Sequence, residues 1–159
     1  IGAELCDGKS DILLATERGF SIRFNEEEVR PIGRTGRGVR GIRLKKDDRV
    51  VGAEIVQPGN KLLTVTSTGY GKRTPMEEYP QQGRGGMGVM TIRCNEKTGT
   101  VVGVQQVDEQ DQLLVITSDG NIVRMRVNEI SLIGRNTQGV RLVGTGKDNQ
   151  VVSIEKLVE

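Results

Sequence analysis

The chain's 159 residues amount to one ordinary domain, and 28% charged against 35% apolar residues marks a folded segment, not a disordered one. With 3% aromatic residues and no tryptophan the core must be aliphatic, and without histidine the commonest general base and metal ligand is missing. Cys6 and Cys94 are too few and too far apart for a disulfide framework or a metal or redox spacing, and no run has the roughly 18 apolar residues of a membrane span or the form of a secretory leader, so a cytoplasmic location is expected.

In chain order, "DILLAT" (11–16) and "FSIRF" (20–24) are β-rich runs split by Glu17-Arg18-Gly19, which predicts a hairpin whose glycine takes positive φ. "EEEV" (26–29) offers a single turn at most. The loop "IGRTGRGV" (32–39) follows. A third strand is predicted from "GVRGIRL" (38–44) and a fourth from "VVGAEIV" (50–56), separated by "KKDDR".

The same order then recurs twice. "ILLATERGFSIRF", "LLTVTSTGYGKRT" and "LLVITSDGNIVRM" align without a gap at offsets of 50 and 51, placing Gly19, Gly69 and Gly120 in one column and Arg23, Arg73 and Arg124 in another. The alignment runs on into "IGRTGRGV", "QGRGGMGV" and "IGRNTQGV", where Arg34, Arg84 and Arg135 coincide, as do Gly38, Gly88 and Gly139. "IGAELC" (1–6) matches "VGAEIV", "VGVQQV" and "VSIEKL", so the chain is expected to open partway through a unit, as a piece of a longer array. The repeats are placed at 1–50, 51–101 and 102–151 with a tail strand at 152–159. Four short strands per unit of about 50 residues predict an all-β, propeller-like array of about three four-stranded blades, each burying its faces against its neighbours.

The net charge of +2 conceals a segregation. Stretches 30–43, 81–93 and 131–141 hold nine arginines and no acid, leaving 14 bases against 21 acids elsewhere, a net of −7. In stacked blades equivalent loops recur along one edge, so the positive charge is expected to form a track on an acidic body, suited to a polyanion. Glycines without Cβ let backbone N–H groups approach phosphate oxygens, although turn-making alone would also call for them. Scarce aromatics disfavour stacking on single strands relative to backbone contact on duplex.

Catalysis finds no support. Cys6 shares a column with Val56 and Val107, and Cys94 one with Leu44, so both read as replacements for buried aliphatics. Tyr79 aligns with Val29 and Ile130, and Tyr70 with Phe20. The acid runs 26–28 and 108–111 read as solvated charge, with no metal site expected, and "GRGGMG" is not followed by the Gly-Lys-Ser/Thr of a nucleotide loop.

"QGRGGMG" (82–88) resembles the Gln-Arg-Arg-Gly-Gly-Lys-Gly box of the DNA gyrase A C-terminal domains, and "GYGKRTPMEEYPQQGRGGMGV" and "VNEISLIGRNTQGVRL" look like their later blades. The box-like loop is Gln82, Gly83, Arg84, Gly85, Gly86, Met87 and Gly88, departing at Gly83 and Met87. The resemblance implies a β-pinwheel whose blades exchange a strand, with duplex DNA bent around a positive rim. It implies the N-terminal portion of gyrase A and the gyrase B protein as partners, with ATP and Mg used through other domains and no cofactor here, and a cytoplasmic, nucleoid-associated setting. Expected DNA contacts are Arg34, Arg37, Arg40, Arg84, Arg135 and Arg141, with Arg23, Lys72, Arg73 and Arg124 as secondary sites if their strands face outward. The equivalent domain of topoisomerase IV, or a protein-interaction propeller without nucleic acid, are the alternatives.

Overall fold

The structure is a computed structural model and describes residues 2–157. Its strands are β1 (Asp11–Thr16), β2 (Phe20–Asn25), β3 (Val50–Ile55), β4 (Lys61–Thr66), β5 (Tyr70–Pro75), β6 (Val89–Met90), β7 (Val101–Val107), β8 (Gln112–Thr117), β9 (Ile122–Arg126), β10 (Val140–Arg141) and β11 (Val151–Leu157). The only helical elements among the described residues are 3-10 turns at Glu26–Glu28, Met76–Glu78 and Val127–Glu129, one after each hairpin.

Each predicted hairpin is present: β1 with β2, β4 with β5 and β8 with β9. Their turns pass through Gly19, Gly69 and Gly120 at φ of +87°, +87° and +86°, where a side chain would strain the backbone. The strands form antiparallel sheets in the orders β3-β1-β2-β6, β10-β5-β4-β7 and β11-β8-β9. The fold is all-β, as expected, and the exchange of strands implied by the resemblance is visible in the pairing. β6 follows the second glycine-arginine loop yet pairs with β2 of the first sheet, Ser21 opposite Val89 and Phe20 opposite Met90. β10 follows the third loop and pairs with β5 of the second, Gly71 opposite Val140 and Tyr70 opposite Arg141. Each of these two loops therefore carries the chain out of its own sheet onto the edge of the one before.

The same pairing corrects several expectations. No strand forms at 38–44: residues 39–40 occupy the column of β6 and β10, and among the described residues no hairpin precedes β1 for them to join. Residues 2–6, in the column of β3, β7 and β11, are likewise irregular for want of a partner. Cys6 is consequently exposed, whereas its column mates Val56 and Val107 are buried. The third sheet has three strands, not four. Of the predicted tail, residues 158–159 lie outside the described residues.

Alternation along the strands puts apolar residues onto the faces between sheets. One cluster, with Leu13, Leu62, Met76, Tyr79, Ile92 and Val104, joins the first and second sheets, and another, with Leu63, Val65, Val107, Leu113, Val115 and Val127, joins the second and third. Tyr79 is the largest fully buried side chain, and its hydroxyl lies 2.6 Å from Thr91 Oγ1.

Candidate nucleic-acid interface

The last glycine of each loop sets how the loop leaves its sheet. Gly38, Gly88 and Gly139 have φ of +76°, +75° and +76°. At Gly88 a Cβ would lie 2.2 Å from the Ser21 carbonyl oxygen, and at Gly139 2.7 Å from that of Gly71, the strands onto which β6 and β10 dock. At Gly38 nothing lies within 4 Å. Turn-making and close strand approach thus account for this column.

The arginine that opens each loop is half-buried in the second and third and performs the same task in both. Arg84 donates from Nε to the Glu28 carbonyl at 3.1 Å and from Nη1 to the Arg40 carbonyl at 2.7 Å. Arg135, its repeat equivalent, donates from Nε to the Glu78 carbonyl at 2.6 Å and from Nη1 to the Met90 carbonyl at 3.0 Å. Each guanidinium fastens its loop to the 3-10 turn and the loop tail of the preceding unit. Arg34, their equivalent in the first loop, is exposed.

The loops are also joined to one another. Gly85 N donates to the Gly41 carbonyl and Arg43 N to that of Gly86, each at 2.7 Å, and Arg93 N donates to the Thr137 carbonyl at 2.8 Å. The tail of the first loop lies against the second, and the tail of the second against the third, so the three stretches form one row. Arg30, Arg34, Arg37, Arg40 and Arg43 along it are exposed, as are Arg93 and Arg141. Among the described residues no ion pair uses any of these.

Acids are nearer to the row than the sequence suggests. The Glu28 carboxylate accepts from Arg84 N at 3.0 Å, so one backbone donor of the second loop already holds a carboxylate of the protein. Gln82 is half-buried, with its N–H donating to the Arg23 carbonyl at 2.7 Å, and Met87 projects from the loop with 48% of its surface exposed.

The secondary candidates are placed differently from the loop arginines. Lys72 is 0% exposed, and its Nζ donates to the carbonyls of Gly134 at 2.7 Å and Arg135 at 2.6 Å and to Thr137 Oγ1 at 2.9 Å. Burial pushes its pKa down to about 8, while a cage of acceptors favours the three-donor ammonium over the amine. Arg73 is buried too, donating from Nε to the Ile130 carbonyl and from Nη1 to Glu109 Oε1, both at 2.7 Å. Arg23, half-buried, pairs with Asp11 at 2.7 Å and reaches the Met76 carbonyl at 3.1 Å. The outward facing on which these three depended is therefore not met: they tie each sheet to the next. Arg124, in the same column as the two arginines, is exposed and donates to Gln112 Oε1 of its own hairpin. A sequence signal for Lys72 exists, since its column mates Ile22 and Val123 are apolar.

Among the described residues no group of acids and cysteines is arranged to hold a metal, and no helix is long and apolar enough to cross a membrane. Comparison with known proteins gives a specific match. The family model for the DNA gyrase C-terminal domain, beta-propeller, matches residues 10–57, 60–108 and 111–157. The chain belongs to this family. The DNA gyrase A protein of Salmonella typhimurium is 47% identical over all 159 residues, that of Escherichia coli 45% and that of Klebsiella oxytoca 44%. The chain spans 18% of the length of these relatives. Among solved structures, a DNA gyrase A C-terminal domain superposes with a TM-score of 0.89 at 27% identity, over 96% of this chain and 52% of that one. The C-terminal domain of DNA topoisomerase IV superposes with a TM-score of 0.91 at 24% identity, over 97% and 48%. That second likeness is one of fold.

Proposed function

We propose that this gyrase-family domain binds duplex DNA along its row of glycine-arginine loops and bends it around that edge. The observation that carries the reading is the row itself: exposed arginines without ion-pair partners among the described residues, held on adjoining loops by inter-loop hydrogen bonds. Guanidinium groups spread along an edge suit phosphates spaced along a duplex, and a contact to phosphate carries no sequence information. Bending 20 to 30 base pairs by 40 to 90° costs on the order of 1 to 6 kcal/mol, which several phosphate contacts offset.

The direct contacts are assigned to Arg37, Arg40 and Arg141, with Arg34 beside them. Arg84 and Arg135 act first as loop fasteners, each with donors left over for a phosphate. In a parent gyrase A the domain would present a bent segment to the cleavage machinery of the N-terminal portion, with gyrase B supplying ATP hydrolysis with Mg, so that wrapping gives supercoiling its negative sign. The same reading assigns it to the bacterial cytoplasm, at the nucleoid. The repeat unit we assign is the one of about 50 residues that begins at 1, 51 and 102. Relatives 44 to 47% identical and named as gyrase A favour this reading over the topoisomerase IV domain.

Energy transfer between dyes at the two ends of a duplex of about 40 base pairs, longer than the 20 to 30 that a modest bend involves, tests the bend. Transfer should rise on saturation with the protein; an unchanged end-to-end distance at full occupancy would leave binding without bending.

A further inference from the structure

The chain has two tyrosines. Tyr79 is sealed in the core, but Tyr70, at the start of β5, sits beneath two cations. The Arg141 guanidinium lies 5.3 Å and the Lys97 ammonium 5.7 Å from its ring centroid, and Tyr70 as a whole is 6% exposed. They arrive from different segments. Arg141 belongs to β10 and is the ladder partner of Tyr70, while Lys97 stands in the loop before β7, where Thr68 Oγ1 donates to its carbonyl at 2.8 Å. Both cations are exposed, and neither has an ion-pair partner among the described residues.

Two like charges held over one tyrosine ring, neither in an ion pair among the described residues, make an incomplete arrangement that an anion completes. Arg141 and then Lys97 lower the Tyr70 pKa below its ordinary 10.0. The first sheet supplies a contrast: Phe20 takes this position with the Lys45 ammonium 3.8 Å from its centroid, and it has no hydroxyl. In the third the position is Asn121. With its ring already covered by cations, Tyr70 offers a hydroxyl donor, not a stacking face.

We propose that Tyr70, Lys97 and Arg141 form a phosphate subsite, in which a phosphodiester of duplex DNA accepts the tyrosine O–H and lies between the two cations. The inference rests on the DNA-binding reading above and adds Tyr70 and Lys97 to it.

Titration of the protein labelled with [13Cζ]tyrosine, followed by NMR, tests it. Burial pushes Tyr79 up to about 12, so the lower ionisation step reports Tyr70 alone. The Tyr70 midpoint should lie below 10.0 in the free protein and rise when a short duplex saturates it, since an adjacent anion opposes the phenolate. Lys97→Gln with Arg141→Gln should abolish that rise and reduce the salt slope of duplex binding by roughly 0.9, one phosphate's worth. Tyr70→Phe should keep the slope and lose affinity by about threefold to tenfold. A saturating duplex that leaves the midpoint unchanged overturns the subsite and leaves the wrapping reading intact. A rise with inorganic phosphate but none with bound duplex overturns it equally, as a site for small anions. Absence of duplex binding by the wild-type chain overturns both.

Discussion

Nη1 of Arg84 donates to the carbonyl of Arg40 at 2.7 Å, so the recurring arginine of one loop is spent holding the loop before it. Arg135 repeats the bond onto Met90, together with the Nε bond onto Glu78. The glycine-arginine loops are thus joints between units before they are contact surfaces. Arg135→Ala should cost about 1 to 2 kcal/mol in urea unfolding, two hydrogen bonds from a charged donor being lost at a half-exposed site. Lysine there should restore little, because an ammonium cannot span both carbonyls as the planar fork does. Arg37→Ala and Arg40→Ala, whose side chains are exposed, should stay within about 0.5 kcal/mol.

Lys72 supplies from inside what the third loop lacks in glycine. "GRNTQG" has Asn136 and Thr137 where the second loop has Gly85 and Gly86, and the Lys72 ammonium gathers the carbonyls of Gly134 and Arg135. Lys72→Met keeps the length and the apolar stem but leaves those carbonyls without their donor. A loss of about 1 to 3 kcal/mol is expected. Hydrogen exchange should quicken at residues 134–139 and leave β8 protected; a uniform change through the chain would contradict a local role.

The glycine column separates backbone strain from collision. Gly38→Ala meets only the cost of the left-handed conformation, about 1 to 2 kcal/mol. Gly88→Ala adds a clash with the Ser21 carbonyl and should displace β6 from β2. Thermal melts of the two variants should therefore differ, with Gly88→Ala the lower, and amide exchange at Val89 should rise only in that one.

The two cysteines should react in sequence. Cys6 is exposed, whereas burial pushes the Cys94 thiol up to about 11 from its ordinary 9.0. In mildly alkaline buffer an aromatic disulfide reagent should modify the exposed Cys6 first and the half-buried Cys94 more slowly. Because the Cys94 pKa is raised on folding, its contribution to stability is whole below its ordinary 9.0 and is lost as pH climbs towards about 11. Cys94→Ala should flatten that part of the stability profile.

Much of this architecture is legible in the residues because it is local. Hairpins, turn glycines and the repeat follow from alternation and spacing within a few residues of one another. The strand exchange is not local: β6 joins a strand nearly 70 residues earlier, and nothing within 38–44 reveals that the matching segment there lacks a partner. The same distance explains the misplaced cations. Arg23 and Arg73 recur as a surface charge would, yet each reaches a carbonyl more than 50 residues away in the next unit. Lys72 is readable from its apolar column, and Lys97 is not, since it lies where the second unit is one residue longer than the first.

In the proposed function, exposed arginines on adjoining loops meet the phosphates of a duplex. The most direct measurement of this contact is the salt dependence of duplex affinity for the wild-type chain and for Arg34→Ala/Arg37→Ala/Arg40→Ala. The wild type should show log K falling with log salt by roughly 0.9 per phosphate, giving a slope of several units, and the triple variant should lose about two to three of those units with its melting temperature unchanged. A flat salt response, or a triple variant that keeps the wild-type slope, would contradict it.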